Sequence, residues 1–168
     1  MECLEKHVWN RYTRKELEKL TVKAPDEKIR KKVLNSLDHV AKPLDGLGKF
    51  EALTAQIGAI QLTEKINISR KAVIIMCADN GIVAEGISQS GQEVTLAVVK
   101  KMAEKKTSVG KMAETIGVGT ITVDIGVNHK GELSGVLDKK IRPGTRNFRN
   151  EPAMTEEEAI RAIFTGIE

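Results

Sequence analysis

The sequence predicts an α/β fold: a partial doubly wound parallel sheet of Rossmann-like type with an N-terminal helical subdomain. Three observations carry that prediction. Residues 73–78 (Val-Ile-Ile-Met-Cys-Ala) form an apolar run, β-branched at its start and too short for a membrane span. Such a run suits a strand buried on both faces of a parallel sheet. The run stops at Asp79-Asn80-Gly81, and a polar loop over residues 85–92 leads into a helix-like stretch from about 93 to 105. Strand, polar loop, helix is the layout in which open α/β sheets hold ligands, in the crevice beyond the carboxyl ends of the strands. The pattern then repeats, with a helix over about 108–116 and a second strand over 120–127 that also carries an aspartate, Asp124, and a glycine near its end. Alternation of this kind implies parallel strands with crossover helices.

Taken in order, the chain begins polar and irregular. Thr13-Arg14-Lys15-Glu16 matches a capping box and starts a helix that Ala24-Pro25 breaks. Asp26 caps the next helix, whose apolar positions Ile29, Val33, Leu34, Leu37, Val40 and Ala41 follow a helical period, and Lys42-Pro43 ends it. A turn over residues 43–48 leads to a further helix, about 48–61, with Leu47, Phe50, Leu53, Ile57 and Ile60 on one face. The expected division is a helical small-domain segment over 1–65 and the N-terminal part of an α/β large domain over 66–168. After the second strand comes a Gly-, Asn-, Lys- and Arg-rich loop over 128–150, and then Thr155-Glu156-Glu157-Glu158, a second capping box opening a last helix. Two clear strands make a narrow open sheet, so the α/β part reads as incomplete, with an edge prone to aggregation unless paired.

Composition narrows the function. The 168 residues are 40% apolar and 30% charged, as in a globular protein with a real core. Aromatic residues at 3% are too few for a single-stranded nucleic-acid stacking platform. The formal net charge of +4 is spread over mixed charges, and the lysine clusters at 28–32 and 100–106 read as solvated helix faces, so no nucleic-acid partner is expected. Without a signal peptide or long apolar segment, the expectation is a cytoplasmic protein with no membrane partner. Cys3 and Cys77 have no metal spacing, and His7, His39 and His129 do not cluster, so neither a metal nor a cofactor is expected.

Candidate ligand contacts sit at the strand ends. Asp79, Asn80 and Gly81 either touch a ligand or form a local turn. Ser88 and Gln92 either bond a ligand's polar edge or cap the following helix. Asp124 either lines the same crevice or braces a loop. Gly144, Thr145 and Asn147, with Arg146 between them, offer backbone N–H groups and a guanidinium, either for a phosphate or as an exposed basic turn.

Three stretches resemble one family. Lys42-Pro43-Leu44-Asp45-Gly46-Leu47-Gly48-Lys49-Phe50-Glu51 is similar to the KPPGSLGRLE segment of nicotinate-nucleotide–dimethylbenzimidazole phosphoribosyltransferases. Residues 78–88 (ADNGIVAEGIS), followed by Gln92-Glu93-Val94-Thr95, resemble that family's ADHGVVAEGVSAYPQEVT. Val123-Asp124-Ile125-Gly126-Val127, Gly144-Thr145 with Asn147, and Pro152-Ala153-Met154-Thr155 follow in the family's order. The resemblance implies a transferase of cobalamin (cobamide) biosynthesis that moves the phosphoribosyl group of nicotinate mononucleotide to a lower-ligand base such as 5,6-dimethylbenzimidazole. It also implies a base pocket at residues 79–92, with Ser88 and Gln92 nearest the ring, in a homodimer or with a complementing C-terminal chain. Asn80 stands where the family has histidine and Gly91 where it has proline, which opens the choice of base. The family's glycine-rich GEMGIGNTT segment and its catalytic glutamate have no counterpart here, so the catalytic base is unassigned. The alternative is a non-catalytic base-binding module.

Overall fold

A computed structural model describes residues 12–168; Cys3 and His7 lie outside the described residues. The chain divides into two compact units, Thr21–Arg70 and, together with residues 12–20, Lys71–Glu168.

The Thr21–Arg70 unit is built on two helices, α2 (Glu27–Asp38) and α3 (Lys49–Gln61). Asp26 caps α2 as expected, its carboxylate accepting the backbone N–H groups of Lys28 and Ile29 at 2.8 and 3.1 Å. Those two bonds, Ile29's first, hold the Asp26 carboxyl below its ordinary value. The face that α3 buries is not the expected one. Phe50 and Leu53 remain 61% and 63% exposed, and Leu47, Ile57 and Ile60 are exposed as well. Glu51, Ala55, Gly58 and Ala59 are buried instead. Close approach decides this: a Cβ added at Gly58 would lie 2.9 Å from Val33 Cγ2, so small residues let the two helices meet where large ones would hold them apart. The turn ahead of α3 is closed by a buried ion pair, Lys42 Nζ to Glu51 Oε1 at 2.8 Å, and by the Leu47 N–H donating to the same oxygen at 3.0 Å. Lys42 first, then the Leu47 N–H, holds the Glu51 carboxyl below its usual range. The ends of the KPLDGLGKFE stretch therefore serve the turn itself.

The other unit is an α/β layer. Its sheet has the order β1–β2–β3 among the described residues, from β1 (Ala72–Ala78), β2 (Gly119–Gly126) and β3 (Leu137–Asp138), with both pairings parallel. A 3-10 turn (Gly81–Glu85), α4 (Glu93–Ala103) and α5 (Ser108–Thr115) make the crossover from β1 to β2. The two-residue β3 lies inside the stretch expected to be loop; so short a run carries no alternating pattern to read. Cys77, Val99, Val127 and Leu133 form the buried core on the α4 side, with Ile75, Leu96, Met102 and Val136 packed around them. Burial and the neighbouring Asp124 push the Cys77 thiol above its usual value.

Two further expectations need correction. β1 is not buried on both faces: residues 72–74 and 76 are exposed, because β1 is an edge strand among the described residues. The helix that Thr13 opens, α1 (Arg14–Glu18), also stops well short of Ala24-Pro25. Leu20 and Val22 beyond it are exposed, and a helix this short persists only through its contacts. Those contacts are the expected capping box at Thr13 and Glu16, an Arg14–Glu156 ion pair at 2.6 Å, and a stack of Tyr12 on Phe164 with centroids 4.6 Å apart. Glu156 and Phe164 belong to α6 (Glu156–Ile167), whose capping box at Thr155 and Glu158 is also present.

Candidate functional site

The parallel register from Ala72↔Gly119 to Cys77↔Asp124 shifts between Cys77 and Ala78, so Ala78 pairs with Gly126. The shift ends the ladder where three loops converge. Asp79, 3% exposed, sits at their meeting point. Its backbone N–H donates to Gly126 O at 3.0 Å, its carbonyl accepts the Thr145 N–H at 3.0 Å, and its carboxylate Oδ2 accepts the Asn128 N–H at 2.7 Å.

Gln92, expected either to meet a ligand or to cap α4, occupies the cap position without a side-chain cap bond. Its amide bridges two loops instead: Nε2 donates to Asn80 O at 3.2 Å, and Oε1 accepts from Asn128 Nδ2 at 2.7 Å. Asn128 has no sequence signature, because a single asparagine in a polar loop carries no pattern. Gly81 shows why a glycine follows Asn80. A Cβ there would fall 2.4 Å from Thr145 O and 2.7 Å from Asn147 N, and the Gly81 N–H donates to Thr145 Oγ1 at 3.1 Å. Gly144, with φ +66°, faces Asp79 Cβ at 3.6 Å and Gln92 Nε2 at 3.9 Å as seen from an added Cβ. Asn147 Nδ2 donates to Glu85 Oε1 at 2.5 Å, and Arg149 pairs with the other Glu85 oxygen. Asp79, Asn80, Gly81, Gln92, Gly144, Thr145 and Asn147 thus meet in one place, although they span 69 positions.

Two expected residues stand apart. Ser88 is exposed, and its hydroxyl accepts the Ser90 N–H at 3.3 Å in a local turn. Asp124, 3% exposed, braces the loop after β2: its Oδ1 accepts the N–H groups of Gly126 and Val127 at 3.1 and 2.8 Å. Its Oδ2 pairs with Lys140 Nζ at 3.1 Å, and Lys140 also donates to His129 O at 2.7 Å.

The 144–147 turn supplies backbone groups to the crevice, but its guanidinium is committed elsewhere. Arg146 makes a bidentate pair with Glu158, at 2.7 and 3.3 Å. That pair, the Thr155 N–H and nearby Arg142 lower the Glu158 carboxyl from an ordinary 4.5 to about 2. Asp79, Asp124 and Glu85 each hold structural partners. Among the described residues no group of three or more His, Cys, Asp or Glu converges as a metal site, and no helix is long and apolar enough to cross a membrane. The arrangement can bind a small polar-edged molecule through amides, backbone N–H groups and closely approaching glycine backbone.

A phosphoribosyltransferase family model matches residues 22–168. The nicotinate-nucleotide–dimethylbenzimidazole phosphoribosyltransferase of Clostridium tetani is 40% identical over 147 residues, covering 88% of this chain and 41% of that protein. The enzyme of the same name from Acetivibrio thermocellus is 40% identical over 135 residues, 80% of this chain and 38% of that one. Among solved structures, the nicotinate-nucleotide–dimethylbenzimidazole phosphoribosyltransferase of Thermus thermophilus superposes with a TM-score of 0.76 at 34% identity, over 84% of this chain and 43% of that one. The chain thus spans about two-fifths of the length of the relatives it matches.

Proposed function

This chain belongs to the nicotinate-nucleotide–dimethylbenzimidazole phosphoribosyltransferase family, and on that premise we propose that it carries the lower-ligand base pocket of such an enzyme. The reaction moves the phosphoribosyl group of nicotinate mononucleotide to a base nitrogen. It requires a pocket that orients a flat ring and a group that takes the base's proton. The observation that carries the reading is the Gln92–Asn128 amide bridge beside Asp79. Amide groups fixed from two directions can address the edge of a planar heterocycle.

The proton acceptor is proposed to come from outside residues 1–168, in a complementing part of the enzyme. The prior engagement of Asp79, Asp124 and Glu85 by backbone, lysine, asparagine and arginine partners supports that division. The same observation favours a second reading, a base-binding module without transfer chemistry. The test is titration of the chain with 5,6-dimethylbenzimidazole, followed by fluorescence of the ligand. Gln92→Ala is expected to weaken binding about tenfold or more, the equivalent of roughly 1.4 kcal/mol, while the melting temperature stays within a few degrees. Equal affinity of Gln92→Ala and the parent would contradict the pocket assignment.

A further inference from the structure

We propose that Lys140 is a positioning residue of the base pocket, setting base affinity by holding the loop from which Asn128 reaches Gln92. The inference rests on the reading that this crevice takes the base. Asn128 is exposed, so packing does not aim its side chain, and the terminal amide torsion of an asparagine is soft. The direction of Asn128 Nδ2 toward Gln92 Oε1, 2.7 Å away, is therefore set by where the backbone of residue 128 sits.

That backbone is tied on both sides of Asn128. Ahead of it, Asp124 Oδ1 accepts the N–H groups of Gly126 and Val127 at 3.1 and 2.8 Å. At Asn128 itself the backbone N–H donates to Asp79 Oδ2 at 2.7 Å. Beyond it, the His129 carbonyl accepts from Lys140 Nζ at 2.7 Å. The same ammonium pairs with Asp124 Oδ2 at 3.1 Å. One cation thus joins the carboxylate that holds the start of the loop to the carbonyl that closes it. An ammonium, with three donors and no acceptor, can span two oxygens in this way.

Lys140 is itself held firmly enough to serve as an anchor. On either side of it, the Lys139 and Ile141 N–H groups donate to Asp124 O and Ile125 O at 2.9 and 3.0 Å, which continues the pairing along β2 past β3. The Lys140 N–H donates to Asp138 Oδ1 at 3.0 Å. The Lys140 side chain is 17% exposed and that of Asp124 4%. Desolvation offsets much of the attraction within so buried a pair, but removing one partner leaves the other charge stranded. Loss of the Lys140 ammonium therefore releases the His129 end of the loop and unbalances its Asp124 end together.

The experiment titrates 5,6-dimethylbenzimidazole into the parent chain, Lys140→Met, Gln92→Ala and the Lys140→Met/Gln92→Ala double variant. Melting and the side-chain amide NMR signals of Asn128 are recorded for each. Lys140→Met keeps the aliphatic stem and removes the donors. It is expected to shift the Asn128 signals and to weaken base binding about fivefold, but less than about twofold further in the Gln92→Ala background, because both changes act on one bridge. Lys140→Arg, which can still donate to both oxygens, should restore most of the affinity. If the stranded Asp124 charge keeps Lys140→Met from folding, Asp124→Asn/Lys140→Met takes its place with the same expectation. A lower melting temperature with affinity and Asn128 signals unchanged would mean a role in stability alone, and overturns the proposal. So does a loss of affinity as large in the Gln92→Ala background as in the parent, since Lys140 would then act by another route. A parent chain that binds no base sinks the proposed function and this inference with it. Binding that Gln92→Ala weakens and Lys140→Met does not sinks this inference alone.

Discussion

Gly81 is the residue on which the crevice closes, because three backbone atoms of the 145–147 turn come within 2.4–2.7 Å of where a side chain would begin. Gly81→Ala should cost about 1–3 kcal/mol, as for overpacked positions. It should also loosen base binding more than Gln92→Ala does, because it moves both loops. Urea denaturation and ligand titration of the same variant check both halves. Glu158 makes a second residue-scale prediction. Its folded value of about 2 lies below the ordinary 4.5, so its contribution is full above about pH 4.5 and is lost as the pH falls through about 2. Glu158→Gln should therefore lower the melting temperature at pH 7, and the gap to the parent should close between about pH 4.5 and 2. A gap that persists unchanged to pH 2 would mean that the Arg146–Glu158 pair is not its source.

At the scale of elements, capping and periodicity were legible and packing partners were not. Thr13, Asp26 and Thr155 announced three helix starts, because a cap is a local hydrogen bond between neighbours in sequence. The packing face of α3 was misread, because periodicity rewards size and this interface selects smallness: Ala55, Gly58 and Ala59 lie inside while Phe50 and Leu53 lie outside. Substitutions separate the two faces. Ala59→Leu should destabilise the unit by about 1–3 kcal/mol, whereas Leu53→Lys should change stability by no more than about 0.5 kcal/mol. Both values can be read from chemical denaturation, and the reverse order would restore the larger stripe as the packing face. In the α/β unit the strand-end aspartates were found from sequence, but their uses differ. Asp79 ties three loops together through its backbone and its carboxylate, whereas the Asp124 carboxylate braces the loop after β2.

Across the whole molecule, the α/β class and the parallel pairing followed from strand–helix alternation, since a parallel crossover needs a helix between its strands. What alternation could not convey is how β1 ends up at an edge, because an interior strand and an uncovered one have the same apolar composition. The crevice likewise gathers residues from three loops, of which Asn128 and Glu85 bear no sequence pattern of their own. We propose that this chain provides the base pocket while proton abstraction comes from a complementing part. The most direct test is phosphoribosyl transfer from nicotinate mononucleotide to 5,6-dimethylbenzimidazole, assayed with this chain alone and with the unmatched remainder of the Clostridium tetani relative. The account predicts silence alone and turnover on addition of the remainder. Turnover by the chain alone would contradict it.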